Sequence, residues 1–404
     1  MPWKESHALE QRNAFITEWS KGGRSITELG QMFEVSRKTA YKWLERFELH
    51  GRGGLADGSR APHRSPQAIS EEKRVVIVAE RQAHPTWGAR KIVQSLMRRQ
   101  PNGRWPAPSS IGDLLKREGL IQGRRLRRRT PPHTDPLQHA QEANQVWCVD
   151  FKGWFRYGDG GRCDPFTTTD ALSRVLLCCQ ATDKADGVHV RGVMESMFRK
   201  HGLPEAIRSD NGSPFASRAP GGLSRLSMWW MQLGIRHERI VPGHPEQNGR
   251  HERMHRTLKQ ETANPPKANR RLQQEAFGAF QREYNEQRPH EALGWKTPAE
   301  LYVPSARPYP ARLAELQYPQ GVHLRRISQQ GSLKWKCERT FLSEVLARQM
   351  VGLLETEEDF YEVYYGPLLI GWFDGGSHLF APDQPAPRKR RGKPEAKKAV
   401  EMTC

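Results

Sequence analysis

The run VWCVDF at residues 146–151 constrains the chain most sharply, because it sets a carboxylate, Asp150, inside an otherwise apolar β-rich segment. An unpaired carboxylate is costly to bury, so Asp150 must face a pocket, a partner or a metal. Its neighbours suggest a sheet. PFTTTDALSRVLLCCQAT (165–182) is again β-rich, DGVHVRGVMESMFRKHG (186–202) has helical spacing, and LPEAIRSDNG (203–212) reads as a strand ending in a turn. A helix in GLSRLSMWWMQLG, a strand in IRHERIV, and helices over 250–262 and 269–287 follow. Strands first, then helices alternating with strands, predict a mixed sheet flanked by helices.

Upstream, SITELGQMFEVSRKTAYKWLERF (25–47) predicts two short helices with a turn near Glu34 and Val35 and Ser36 capping the second. This is helix-turn-helix spacing, which presents the start of the second helix, with Arg37, Lys38, Thr39 and Lys42, to a DNA groove. After the Gly-, Pro- and Ser-rich stretch 51–67, three capped helical segments between Ser70 and Ile121 predict a second such module. The run GRRLRRRTPPHTDP, with Arg124, Arg125, Arg127 and Arg128, reads as a strap for a DNA backbone or minor groove. Downstream of the proline-punctuated stretch 304–321, residues 322–380 alternate with period two. Leu333, Trp335 and Cys337 fall on one face, predicting a small antiparallel sheet or barrel, and the tail from 384 is too charged to bury.

Charge agrees with this layout. Lys and Arg number 64 against 45 acids, a formal net charge of +19, which points to a polyanionic partner. No apolar run is long enough to span a membrane, the N-terminus lacks an apolar signal region, and the six cysteines show no metal-ligand spacing. A reduced, cytoplasmic, DNA-associated protein is expected.

Two further acids join Asp150 as candidates. Asp210 ends a predicted strand in SDNG, a position that also suits a structural turn. For the third, Glu246 follows Asp210 with 35 residues between and Glu252 with 41. Glu246 sits in a Pro/Gly-rich loop, whereas Glu252 enters the helical run RHERMHRTLKQE, where it would share a face with His255, Arg256 and Lys259. Metal ligands need rigid support, which favours Glu252.

The motifs VWCVDFKGWF, IRSDNGSPF and PGHPEQNGRHERMHRTLK together resemble the catalytic core of DDE transposases of bacterial insertion sequences and of retroviral integrases. That resemblance covers residues 144–302 and implies an RNase H-like fold. The whole chain would then be a multidomain α+β protein: helix-turn-helix modules at 1–55 and 56–123, a basic linker at 124–143, the core, a linker at 303–318, a small β-barrel at 319–383 and a basic tail at 384–404. It implies that Asp150, Asp210 and Glu252 hold two Mg²⁺ ions, with Mn²⁺ able to substitute, and that the protein binds terminal inverted repeats, cleaves the element ends and joins the 3′-hydroxyl to target DNA. His255, Arg256 and Lys259 would contact DNA, while Asn211, His244 and Asn248 would lie in loops near the site. A homo-oligomer on paired ends is expected. The alternatives are an inactive DNA-binding protein and an RNase H-like nuclease without strand transfer.

Overall fold

The computed structural model describes residues 8–58, 68–121, 137, 139–242 and 244–383 and divides into two compact units, 1–70 and 71–404. The arginine-rich run with Arg124, Arg125, Arg127 and Arg128, and the tail from 384, lie outside the described residues.

In the first unit, α1 (Ala8–Ser20), α2 (Ile26–Met32) and α3 (Arg37–His50) surround Phe15, Ile16, Leu29, Trp43 and Leu44. Ser25 and Ser36 cap α2 and α3 by accepting the backbone N–H of Glu28 and Thr39. The turn between them is tight: Val35 N–H donates to Gly30 O at 2.9 Å, and a Cβ on Gly30 would meet that same Val35 carbonyl oxygen at 2.9 Å. Glycine is therefore required for α2 and α3 to approach as a helix-turn-helix. The glycine-rich stretch after α3 is not all linker, since a 3₁₀ turn at Gly51–Leu55 returns Leu55 to the core.

The second unit opens with α4 (Glu71–Ala83), α5 (Ala89–Arg99) and α6 (Pro108–Arg117), packed through Ile77, Ile92, Leu96, Ile111 and Leu114. The sheet follows with β1 (Val146–Phe151), β2 (Phe155–Arg156), β3 (Arg162–Asp170) and β4 (Leu176–Thr182). Then come α7 (Gly187–His201), β5 (Ala206–Ser209), α8 (Arg225–Gln232), β6 (Arg236–Arg239), α9 (Gly249–Thr262) and α10 (Arg270–Arg282). β4, β3 and β1 are antiparallel, whereas β1, β5 and β6 are parallel, and β2 extends the edge of β3 beyond β1. This is the expected mixed sheet.

Strand alternation assigns the two faces. Trp147 and Val149 pack with Val190, Phe198, Trp229 and Trp230 of α7 and α8. On the opposite face Cys163, Cys179 and Ala181 pack with Met254, Leu258, Phe277 and Phe280 of α9 and α10. Asp150 alternates away from Trp147 and Val149, toward α9.

Residues 303–318 do not hang free. Arg307 donates to Pro204 O at 2.7 Å and Gly234 O at 3.0 Å, strapping the segment to the core. Beyond it lie β7 (His323–Arg326), β8 (Ser332–Trp335), β9 (Glu338–Phe341), β10 (Met350–Glu357), β11 (Phe360–Tyr365), β12 (Leu368–Asp374) and β13 (Leu379–Ala381). Strands β13-β12-β11-β10-β7 form one antiparallel sheet and β8-β9 a separate hairpin; among the described residues no ladder joins β7 to β13, so the strands are an open sheet and a hairpin where a barrel was expected. Cys337 does not continue the face of Leu333 and Trp335. The chain turns at Lys336 with φ +52°, leaving Cys337 exposed in the hairpin bend. Alternation ends wherever a strand does.

Candidate active site

The parallel pairing of β1 with β5 sets Val146, Trp147 and Cys148 beside Ala206, Ile207 and Arg208. Carried two residues further, that register brings Asp210 to the level of Asp150. Asp210 leaves the strand in a turn that it closes itself, accepting the Gly212 N–H at 3.1 Å, and Asn211 anchors the turn through Nδ2 to Ile240 O at 2.7 Å. Glu252 lies in the first turn of α9, exposed to solvent. One turn on, His255 Nδ1 stands 3.8 Å from Asp150 Oδ2, which fixes the start of α9 beside β1.

The electrostatics report the same neighbourhood. Burial pushes the Asp150 carboxyl up to about 7, the charge of Asp210 adds to the rise and that of Glu252 adds less, while the Phe151 N–H and Lys152 oppose it. Asn248, buried just before α9, donates to Asp150 Oδ2 at 3.3 Å. Asp210 and Glu252 are thus near enough for their charges to act on Asp150, and carboxylate oxygens are the donors a hard divalent cation takes.

Among the described residues, the group with ligand atoms close enough for one metal ion is Asp150, His251 and His255, all within 4.8 Å of one another. Both imidazoles hydrogen-bond threonines of β3. His251 has Nε2 at 2.7 Å from Thr167 Oγ1 and Nδ1 at 2.9 Å from Thr169 Oγ1, while His255 Nε2 lies 2.6 Å from Thr167 Oγ1. Burial lowers the His251 ring to about 3 and takes His255 well below its usual range, so both are neutral at pH 7.

His255 is thereby corrected. It does not stand in a DNA-facing row with Glu252; it is 3% exposed and backs onto β3. Arg256 and Lys259 do face solvent on α9. The missed signal was the spacing of His251, Met254, His255 and Leu258, which marks the buried stripe of the helix. Of the other candidates, His244 is exposed on the loop before α9, and Glu246 lies on the short 3₁₀ helix Pro245–Asn248. Arg37, Lys38 and Lys42 are exposed at the start of α3 with Thr39 half-buried beside them. Asp170 is structural: its oxygens accept from Asn144 N, Ser173 N and Ser173 Oγ at 2.6–2.8 Å.

Residues 140–245 match a family described as integrase core domain, as do residues 233–298 in a second such family. Together the two matches place integrase core domains over residues 140–298. Residues 11–63 match a helix-turn-helix domain and 39–115 a homeodomain-like domain. It is 28% identical over 190 residues to the insertion element IS407 uncharacterized 31.7 kDa protein of Burkholderia multivorans, covering 46% of this chain and 66% of that one. It is 26% identical over 243 residues to the insertion element IS476 uncharacterized 39.2 kDa protein of Xanthomonas euvesicatoria, covering 60% of this chain and 67% of the other. The chain thus spans about two thirds of the length of these curated relatives. The HTLV-2 integrase catalytic core domain in complex with magnesium aligns at 16% identity and a TM-score of 0.31, covering 40% of this chain and 97% of that one.

Proposed function

We propose that this chain is a DNA transposase that cuts the ends of a mobile element and joins them to target DNA at a site formed by Asp150, Asp210 and Glu252. The observation that supports the reading is the β1–β5 register, which sets Asp210 level with Asp150, beside a helix that bears Glu252 and whose His255 stands 3.8 Å from Asp150. Two magnesium ions held by these carboxylates would supply charge stabilisation for the attacking and leaving oxygens of a phosphodiester.

The chain's own groups hold that arrangement. Asn248 donates to Asp150 Oδ2, His255, itself bonded to Thr167, stands 3.8 Å from that same oxygen, and the Gly212 N–H fixes Asp210. Arg256 and Lys259, exposed along α9, would bind DNA phosphates and align the strand for in-line attack. In this reading residues 1–55 and 56–123 recognise terminal inverted repeats, with the arginines at 124–128 as a backbone strap. Residues 144–302 carry the chemistry, and 319–383 hold DNA backbone or a second subunit. A homo-oligomer would pair the two ends, working on bacterial DNA in the cytoplasm.

The test uses the full chain and a duplex taken from the DNA flanking its gene, where imperfect inverted repeats are expected. Asp210→Asn should abolish Mg²⁺-dependent cleavage and joining while leaving duplex binding unchanged. Joining at the wild-type rate by that variant would sink the proposal.

A further inference from the structure

Four residues past Asp150 the chain presents a large aromatic side chain to solvent. Trp154 is 56% exposed, directly after Gly153 with φ +84°, at the entry to β2. An indole so placed is not there for the core. Two guanidiniums attend it: Arg162 lies 5.2 Å and Arg156 5.8 Å from its ring centroid. They are register partners across β2 and β3. Each is tethered, Arg156 donating to Gly160 O at 2.8 Å and Arg162 to Asp164 Oδ2 at 2.7 Å, so the ring is held in a defined cationic setting.

Trp154 also borders a cavity of about 340 Å³ lined by Lys152 and Lys259. Lys152 is close enough to act on the Asp150 carboxyl, and Lys259 lies on α9 two turns beyond Glu252. The cleft therefore adjoins the candidate active site. Its lining pairs the exposed indole with two lysines, and the two arginines attend the ring from outside it, a setting that suits a ligand planar and anionic at once. A nucleobase on its phosphodiester backbone has both properties; a base in an intact duplex offers its face to neighbouring bases instead.

We infer that Trp154 is a stacking platform for an unpaired nucleobase of the DNA strand led into the site, with Arg156, Arg162, Lys152 and Lys259 holding the flanking phosphates. The inference rests on the transposase reading for the identity of the strand, but its test does not depend on catalysis. Fluorescence anisotropy would follow the full chain, in EDTA, binding a labelled duplex with a short oligo-dT tail and the same duplex blunt. The wild type should prefer the tailed duplex. Trp154→Ala should lower affinity for the tailed duplex by about 5- to 150-fold, the range of one base–aromatic stack, with blunt-duplex affinity unchanged, and Trp154→Phe should restore most of it. Three results would overturn the inference: no preference in the wild type, an unchanged preference in Trp154→Ala, or equal weakening on both duplexes. Failure of the transposase reading would appear separately, as wild-type protein that neither cuts nor joins DNA in Mg²⁺.

Discussion

Glu246 and Glu252 lie six residues apart, yet the chain treats them differently. Glu252 is carried on a helix whose next turn touches Asp150 through His255, while Glu246 belongs to a short 3₁₀ turn before it. Glu252→Gln should abolish strand joining and Glu246→Gln should leave it largely intact; gel assays of both variants giving the reverse result would move the third ligand to Glu246. Thr167 is the second residue on which the site leans. Its hydroxyl has one hydrogen to donate, yet it contacts Asp150 O, His251 Nε2 and His255 Nε2, so at least one imidazole must donate to it. Thr167→Val would leave buried ring nitrogens unsatisfied. A loss of about 1–3 kcal/mol in urea denaturation is expected, and an unchanged midpoint would show that the contacts are weak.

At the scale of the element, α9 decides how the site is read. Its buried stripe of His251, Met254, His255 and Leu258 was present in the spacing, but a polar residue on that stripe is easily assigned to solvent. Only the threonines of β3, more than 80 residues earlier, give the histidines a reason to be buried. Leu258 packs against the face of the sheet opposite α7 and α8. Leu258→Ala should cost about 2–5 kcal/mol and loosen the helix that carries Glu252, lowering joining activity with it. Stability and activity measured together check both parts. The helix-turn-helix was more legible, because its determinants are local: Ser36 caps α3, and Gly30 admits the turn. Ser36→Ala should destabilise that unit by about 1 kcal/mol, readable in its thermal transition.

At the scale of the whole second unit, α4–α6 are fastened to the core. Arg98 forms a two-pronged pair with Glu300 at 2.8 and 2.9 Å, Arg90 meets Glu291 at 2.8 Å, and Thr86 and Arg288 both bond Glu261. Glu283 sits in this seam, with oxygen contacts to His84 at 3.6 Å and Arg288 at 3.7 Å, and burial pushes its carboxyl up to about 7. A carboxyl raised in the folded state favours folding while protonated. That contribution is full below about pH 4.5 and is lost as pH rises through 7. Glu283→Gln should therefore gain stability relative to wild type between pH 4.5 and 8, and a pH-independent difference in denaturation midpoints would refute the assignment. The elements were legible locally: caps, helical and two-residue spacing, and a carboxylate at the end of each of two strands all depend on residues a few positions apart. The tertiary structure alone decided which side of α9 is buried, that Cys337 lies in a bend, and that α4–α6 dock on the core. It also decided that Arg162 stands beside Trp154. Each of these depends on a surface supplied from far along the chain, and burial is a property of two surfaces rather than one.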